Sequence, residues 1–308
     1  MGDATLRPLR LSVKTGESDR LSLPKKLSII YDRTRWEEKA LIKAARRKRV
    51  STNLIDGKSI CLSISGKYNS ETYGDIILQR CISYFRGLHI SAVLERKGLS
   101  VVNSFNTSLI CGNKLFTSLA LENAGVPTPK TYVAFTSEAA LEALERIGYP
   151  AVVKPVVGSW GRLVSPVRDR ATAEAILEHR EQMNNALLQI HYIQEMVERP
   201  PRDIRTIVVG DEVAVSVYRS APAGAWRTNV ALGATTTPCP TSNQLEDIAL
   251  RAAKAVGGGV LAVDAMESPN GPVVHEVNST IEFRGASAAT GVNIASKIID
   301  YVIKTSKK

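Results

Sequence analysis

The chain has 308 residues, of which 44% are hydrophobic and 23% are charged, a composition typical of a globular protein with two or three structural units. It lacks any apolar run near the roughly 18 residues of a transmembrane helix, and its N-terminal segment lacks the apolar stretch of a secretion signal. Neither a zinc site nor a disulfide framework is indicated, because the cysteines lack paired spacing: Cys61, Cys81, Cys111 and Cys239. We therefore expect a cytoplasmic protein without membrane attachment.

Basic charge is the second property that limits the function. The net charge is +10, and part of it lies in residues 1–25, a polar segment that we expect to form a disordered tail. Another part lies in Arg46–Arg49, at the end of a predicted helix, where cations favourably meet the helix dipole. The remaining charge attracts an anion, whether a nucleotide, an acidic protein or RNA.

Residues 26–113 are predicted to form a small, mostly parallel α/β domain. An apolar strand at 26–32 precedes a helix at 35–48, and a strand at 75–81 precedes a helix at 85–98. This alternation of strand and helix is typical of a parallel sheet with helices packed on it.

Residues 114–198 and 199–308 are predicted to form a central and a C-terminal domain. In the central domain, Ser137 is expected to cap a helix that follows the first strand. In the C-terminal domain, a hairpin turning at Gly210-Asp211 and a second hairpin are flanked by helices. The fold class is therefore α/β, with an α+β part toward the C-terminus.

The second hairpin places polar residues where a metal could bind. Asn270-Gly271 is a strong turn signal, and pairing centred there puts Asp264 across from Glu276 to within one residue of register. Strand alternation puts Asn278 on the same face as Glu276. Two carboxylates and an amide oxygen suit Mg²⁺, which completes its shell with water and nucleotide phosphates. The alternative is an ordinary solvent-facing side of a strand.

Upstream residues suit phosphate binding. Lys154 ends a predicted strand, and Gly158, Ser159 and Gly161 follow in a loop whose backbone N–H groups can approach an anion. A second lysine, Lys114, opens a predicted helix. The loop fits neither the Rossmann nor the Walker pattern, and a plain surface turn is its alternative.

A hinge and a set of arginines lie in the same half of the chain. Gln194–Val197 ends a strand with a donor and acceptor edge that can read an adenine, although an ordinary strand exit explains it equally well. Arg205, Arg219 and Arg227, with Asn229, lie within or beside predicted strands. A fixed guanidinium can neutralise charge on a transferred phosphoryl group, and a solvated surface residue is the alternative for each.

The order of these segments resembles the ATP-grasp ligases of the RimK-like group, most closely the LysX and ArgX ligases that attach an amino acid to the carrier protein LysW. The resemblance covers residues 26 to about 303 and rests on Lys114, VVKPVVGSWGRL, QEMVERPPRDIR, WRTNVALGA, VDAMES and HEVNSTIEF. It implies an ATP-grasp fold with an N-terminal small α/β domain, a central lid domain and a C-terminal domain.

The resemblance also implies roles for the polar residues. Those implied to bind ATP are Lys114, Lys154, Gly158, Ser159, Trp160, Gly161, Arg162, Gln194, Glu195, Met196, Val197, Asp203, Arg219 and Asn229. Within this set the lysines contact phosphate, the Gly158–Arg162 loop closes over it, and Asp203 lies at the ribose end. Catalytic roles are expected for Arg205, Arg219 and Arg227. Asp264, Glu276 and Asn278 are expected to bind Mg²⁺, with two ions in the site.

The reaction implied by the resemblance is carboxylate activation. ATP phosphorylates the side-chain carboxylate of the C-terminal glutamate of LysW, and the α-amino group of an incoming amino acid attacks the acyl phosphate, in lysine or arginine biosynthesis. Positioning and charge neutralisation supply the rate. LysW-type carriers are small and acidic, which would fit a basic ligase.

The amino-acid substrate stays open between α-aminoadipate, glutamate and both. Arg284 and Gly285 are expected to border its pocket. Members of the α-aminoadipate type tend to carry Asn after the basic residue, and glutamate-type members Gly-Phe, whereas Gly285 is followed here by Ala286. The two substrates differ by one methylene, worth only about 1 to 3 kcal/mol in a pocket, so relaxed specificity is physically easy.

Two other functions compete with a LysW ligase. One is a RimK-type glutamate ligase that modifies another protein. The other is a non-catalytic basic protein that binds RNA, although no aromatic platform or RNA-binding motif accompanies the charge, so no nucleic-acid partner is expected. The sequence leaves the oligomeric state open, a homo-oligomer included.

Overall fold

The computed structural model describes residues 26–65, 70–222 and 234–305, and two expected site residues, Arg227 and Asn229, lie outside the described residues, as does the predicted tail at 1–25. Within these ranges the chain forms two four-stranded sheets and one five-stranded sheet. Among the described helices, none combines the length and apolar character that crossing a bilayer requires.

The first sheet is parallel, with strand order β2-β1-β3-β4. Its elements are β1 (Lys26–Tyr31), α1 (Trp36–Arg47), β2 (Ser51–Asp56), α2 (Ser70–Tyr73), β3 (Ile76–Gln79), α3 (Tyr84–Arg96) and β4 (Ser100–Val102). This is the predicted α/β arrangement, with the addition of β2. That strand lies at the edge of the sheet, and none of its residues is fully buried. An edge strand of this kind does not need an apolar run, which is the signal by which strands are recognised in a sequence.

The second sheet is antiparallel throughout, with strand order β5-β8-β6-β7. Two helices precede it, and its elements follow: α4 (Phe105–Cys111), α5 (Lys114–Asn123), β5 (Thr131–Ala134), α6 (Ser137–Ile147), β6 (Ala151–Lys154), β7 (Ser165–Val167), α7 (Arg170–Gln182), a 3₁₀ helix (Ala186–Leu188) and β8 (His191–Glu195). The expected cap of α6 is wrong by one residue: Thr136 accepts the N–H of Ala139, and Ser137 begins the helix.

The third sheet is also antiparallel, with strand order β11-β10-β9-β12-β13. Its elements are β9 (Arg202–Val209), β10 (Glu212–Ser220), β11 (Thr235–Pro238), α8 (Asn243–Ala255), β12 (Val260–Ser268), β13 (Gly271–Asn278), α9 (Arg284–Thr290) and α10 (Ile294–Thr305). The helix α9 was not expected, since its small residues give no apolar period.

The β12–β13 turn lies one residue earlier than expected. Ser268 pairs with Gly271, so Pro269 and Asn270 form the two-residue turn. Gly271 has a φ of 107°, a backbone conformation that favours glycine over residues with a Cβ.

The first and third sheets share a core. Leu27 and Leu41 belong to the same buried cluster as Ile207 and Ile298. The side chain of Asn103, just after β4, adds a polar link: its Nδ2 donates to the Val260 carbonyl at 2.8 Å, and its Oδ1 accepts from the Val260 N–H. The second sheet has its own apolar core, which includes Ala151, Val153 and Ile193.

Candidate active site

A cavity of about 700 Å³ lies between the first sheet, the loop after β6 and the third sheet. Its lining combines residues that are far apart in sequence. Ten of the expected site residues line it: Gly158, Ser159, Trp160, Arg205, Arg219, Asp264, Glu276, Asn278, Arg284 and Gly285.

The three expected metal ligands meet on one face of the β12–β13 pair. Asp264 is paired with Glu276, and Ala262 is paired with Asn278. The pairing shifts between Asp264 and Ala265, where β13 contains one extra residue, His275. With the turn at Pro269 and Asn270, Asp264 would lie opposite His275 in a regular hairpin, and the extra residue brings Glu276 directly opposite Asp264.

Asp264 is buried and bound by two arginines. The guanidinium of Arg205 donates to both of its carboxylate oxygens, at 2.8 and 2.7 Å, and Arg219 lies 3.2 Å from Oδ2. Burial alone would raise the pKa of Asp264, but the charges of Arg205 and Arg219 outweigh it and hold that pKa well below its usual range. The carboxylate is therefore ionised at neutral pH.

Asp203 is bound by an arginine of the neighbouring strand. Only 2% of it is exposed, and both of its carboxylate oxygens accept from Arg219, each at 2.7 Å. Its expected place at the ribose end of the site stays a prediction. The carboxylate of Asp203 fixes the guanidinium of Arg219, which also contacts Asp264.

Lys114 joins the phosphate loop to the metal face. Its ammonium donates to the Gly158 carbonyl at 3.0 Å and lies 3.4 Å from Glu276 Oε1. Burial tends to raise the pKa of Glu276, but Lys114 and other neighbouring cations leave it lower than usual. Glu276 is thus an ionised acid at the boundary between the loop and the sheet.

Lys154 and Gln194 bind each other at the ends of β6 and β8. Lys154 Nζ donates to Gln194 Oε1 at 2.6 Å, and Gln194 Nε2 donates to Thr131 Oγ1 and the Tyr192 hydroxyl, each at 3.0 Å. Gln194 is 1% exposed, and its side chain links Lys154 to β5, while its expected part in holding adenine stays a prediction. Burial and the nearby charge of Lys114 lower the pKa of Lys154 to about 8.

The rest of the expected adenine hinge lies at the end of β8. The Glu195 carboxylate accepts the Lys130 N–H at 2.9 Å, and the Glu195 N–H donates to the Lys130 carbonyl. Met196 and Val197 follow the last strand residue. Like Lys114 and Lys154, these hinge residues lie outside the lining of the cavity.

The loop between β6 and β7 is exposed and unusual in backbone conformation. Trp160 and Gly161 have φ of 58° and 66°, and the Arg162 guanidinium lies 5.0 Å from the centre of the Trp160 ring. Gly158, Ser159 and Trp160 line the cavity, whereas Gly161 and Arg162 do not. The structure therefore brings the first half of the expected phosphate loop to the site.

Arg35, Glu37 and Gln79 also line the cavity, and the sequence did not predict them. They come from the start of α1 and the end of β3, more than 120 residues before the third sheet begins at Arg202. A pair of acids following an arginine at the start of a helix is an ordinary N-terminal pattern, so no local signal marks these residues.

The sequence matches two domain families that together span most of the chain. Residues 27–110 match the LysX preATP-grasp domain, and residues 111–302 match the RimK-like ATP-grasp domain. The chain belongs to the RimK-like ATP-grasp family. As a member of that family it is an ATP-grasp ligase, with the predicted fold.

Individual relatives of this ATP-grasp ligase are similar over nearly their whole length. The glutamate–LysW ligase ArgX of Sulfurisphaera tokodaii is 37% identical over 284 residues, 91% of this chain and 99% of the relative. The α-aminoadipate–LysW ligase LysX of the same organism is 37% identical over 285 residues, 92% of this chain and 99% of the relative. A RimK-domain ATP-grasp structure from Sphaerobacter thermophilus has a TM-score of 0.75 at 28% identity, covering 90% of this chain and 99% of that one.

ATP-grasp ligases use ATP and Mg²⁺, and the donor set of this site fits that ion. Glu276 offers an ionised carboxylate, and Asn278 donates its Nδ2 hydrogen to Asp264 at 3.3 Å, which keeps the amide carbonyl oxygen for a cation. Among the described residues, no three or more His, Cys, Asp or Glu side chains are grouped to hold a metal by themselves. Mg²⁺ usually binds few protein oxygens and completes its shell with phosphate and water.

Proposed function

We propose that this ATP-grasp ligase joins the α-amino group of L-glutamate, L-α-aminoadipate or both to the γ-carboxylate of the C-terminal glutamate of a LysW-type carrier protein. The bond forms through an acyl phosphate, with ADP and phosphate as the other products. The relatives named for this reaction support the proposal, since they match the chain over nearly their full length.

One structural observation carries the proposal. A single cavity is lined both by the Asp264, Glu276 and Asn278 face and by Arg284 and Gly285 of α9. A ligase of this kind has to bring a phosphorylated carboxylate and an amine nucleophile together, and holding the reactants in one enclosed space provides much of the rate.

The residues divide the chemistry between them. Arg205 and Arg219 are held by buried carboxylates, so their guanidinium groups are oriented before the substrate binds. Fixed cations of this kind stabilise negative charge as it develops on the transferred phosphoryl group. Asp264, Glu276 and Asn278 would hold Mg²⁺, two ions in our proposal, and the metal would neutralise phosphate charge. Lys114 and Lys154 would contact the nucleotide phosphates.

The pocket wall at Gly285 lies close to β11. A Cβ added to Gly285 would lie 3.2 Å from Thr236 Oγ1, a tight contact, so the glycine lets α9 approach β11 closely. Because glutamate and α-aminoadipate differ by one methylene, which a pocket discriminates only weakly, we propose that the substrate preference is not absolute. Support for both substrates also comes from the equal identity, 37%, to relatives named for glutamate and for α-aminoadipate.

Ligation of a purified LysW-type carrier tests the proposal. We expect carrier-dependent release of ADP and a carrier heavier by one amino-acid residue, measured by mass spectrometry with each amino acid separately. Glu276→Ala should abolish turnover because it removes a metal ligand and the partner of Lys114. Glu122→Ala, an exposed acid on α5, is the matched control and should retain full activity. Absence of turnover with any carrier would overturn the proposal.

A further inference from the structure

We propose that Glu37 is a positioning residue for the amino-acid pocket, acting from the first sheet's helix α1 on the helix α9 that begins at Arg284. The proposal rests on the function proposed above and adds to it a residue that controls the amino-acid substrate. Glu37 is only 5% exposed, and it borders the cavity together with Arg284 and Gly285.

The carboxylate of Glu37 caps α9 from another part of the chain. Its Oε1 accepts from the Phe283 N–H at 3.2 Å and from the Arg284 N–H at 3.1 Å. The residue at the local cap position, Phe283, makes no side-chain hydrogen bond to the helix. Because the first N–H groups of a helix have no partner within it, Glu37 supplies the acceptor that the local sequence lacks.

Three neighbouring contacts fix the segment 281–284, which leads into α9. The rings of Trp36 and Phe283 meet edge to face, with centroids 5.8 Å apart. Arg35 lies 3.4 Å from the Glu282 carboxylate, and Arg80, which is 3% exposed, donates to the Ile281 carbonyl at 2.9 Å. Each residue of the segment is therefore held from the first sheet.

Glu38 organises the two arginines of this contact. Its carboxylate accepts from Arg35 at 2.8 and 3.1 Å and from Arg80 at 3.1 Å, and it is 1% exposed. Burial alone would raise the pKa of Glu38, but Arg35 and Arg80 keep it below its usual value. We call Arg35, Trp36, Glu37, Glu38 and Arg80 the α9 clamp.

The clamp sets the position of a wall that discriminates between substrates. Glutamate and α-aminoadipate differ by one methylene, so a small displacement of Gly285 relative to Thr236 changes which of them fits. Helix α9 has only seven residues, and Glu37 binds the N–H groups of its cap residue, Phe283, and of its first residue, Arg284. Losing that acceptor frees the end of the helix nearest the pocket, while the expected metal ligands and arginines on β9, β10, β12 and β13 keep their own contacts.

Three substitutions at Glu37 separate positioning from simple stabilisation. Glu37→Gln keeps an oxygen acceptor at the same reach, Glu37→Asp keeps the charge but is one methylene shorter, and Glu37→Ala has neither. We expect Glu37→Ala and Glu37→Asp to raise the KM for the amino acid about tenfold and to alter the glutamate to α-aminoadipate ratio of kcat/KM. Glu37→Gln should stay within about threefold of the native protein, and the KM for ATP should be unchanged in all three.

Initial rates on the full-length ligase with a LysW-type carrier measure these constants. Glu138→Ala is the matched control, because it removes an exposed acid from the first turn of another helix, α6, and leaves the α9 clamp intact. Equal rises in the KM for ATP and for the amino acid, or a fall in kcat alone, would show a purely structural role and overturn the proposal. A native KM for the amino acid in Glu37→Asp would also overturn it.

Hydrogen–deuterium exchange on the substrate-free protein tests, independently of activity, whether Glu37 binds the first N–H groups of α9. The N–H groups of Phe283 and Arg284 should exchange at least about tenfold faster in Glu37→Ala than in the native protein and at the native rate in Glu37→Gln. Unchanged protection in Glu37→Ala would overturn the proposal. If the native protein ligates neither amino acid to any carrier but the exchange result holds, the proposed function fails while the capping contact stands.

Discussion

The charge of Lys154 at a given pH depends on which groups surround its ammonium. In the protein without nucleotide its pKa is lowered to about 8, chiefly by burial and then by Lys114, and its ammonium donates to Gln194. Phosphate oxygens favour the charged ammonium. If Lys154 contacts the nucleotide phosphates as we propose, nucleotide binding raises this pKa and takes up a proton once the pH exceeds about 8.

Affinity for ATP should therefore fall as the pH rises through about 8. The fraction of Lys154 that is already charged decreases between about pH 7 and pH 9, and the binding free energy has to supply the difference. Isothermal titration calorimetry in buffers of different ionisation enthalpy measures both the Kd and the proton uptake. Lys154→Arg, whose charge does not change in this range, should bind ATP with a Kd that is flat across it. A flat profile in the native protein would contradict the prediction.

The sequence predicts which residues share a face when that depends on a short segment. It does not predict which distant side chain a residue will bind. The common face of Asp264, Glu276 and Asn278 follows, to within one residue of register, from a turn signal and strand alternation, which are properties of a short segment, whereas the bulge at His275 does not. Asp203 and Gln194 sit on the expected strands too. Their side chains are nevertheless committed to Arg219 and Lys154, and sequence pattern alone gives no information on such pairings.

The loop between β6 and β7 is held at both ends by one buried residue of α7. Arg180 is 4% exposed, and its guanidinium donates to the Leu163 carbonyl at 2.9 Å and to the Lys154 carbonyl at 3.5 Å. Lys154 ends β6, and Leu163 lies near the start of β7. Arg180 thus joins the two ends of the segment expected to close over phosphate.

Substituting Arg180 by methionine should loosen that loop. Arg180→Met keeps an unbranched apolar side chain and removes the donors, so we expect a rise of about tenfold in the KM for ATP, as befits hydrogen bonds from a charged donor. Limited proteolysis should cut the loop faster in the variant. Arg170→Met, at the exposed start of the same helix, is the matched control with native values. If the loop is cut at the native rate in Arg180→Met, the two carbonyl contacts do not hold it.

Among the helices and strands, the sequence predicts those with an apolar, periodic pattern and does not predict those without one. The strand β2 and the helix α9 escape prediction because one is half-exposed and the other is built from small residues. The missing helix matters most, since α9 begins with Arg284 and Gly285. The sequence identifies those two residues only through a family resemblance and gives no account of how they are positioned.

Across the whole molecule, the site is assembled from segments that no local pattern connects. Glu37 and Phe283 are 246 residues apart in sequence, yet the first sheet and the third sheet meet through them and through a shared apolar core. This is why the α/β and α+β portions could be recognised separately while the α9 clamp could not. Contacts between domains depend on the assembled surfaces of both.

The net charge of the whole chain should govern its encounter with an acidic carrier. Residues 1–25 contain five basic and three acidic side chains, so they contribute only +2 of the net +10, and residues 26–308 carry the remaining +8. We expect the Kd for a LysW-type carrier to rise steeply with salt, because charges separated by more than about 8 to 10 Å are screened at physiological ionic strength. A chain that starts at residue 26 should keep most of that salt dependence. Fluorescence anisotropy of a labelled carrier at several salt concentrations measures both chains, and a Kd that does not respond to salt would exclude electrostatic steering.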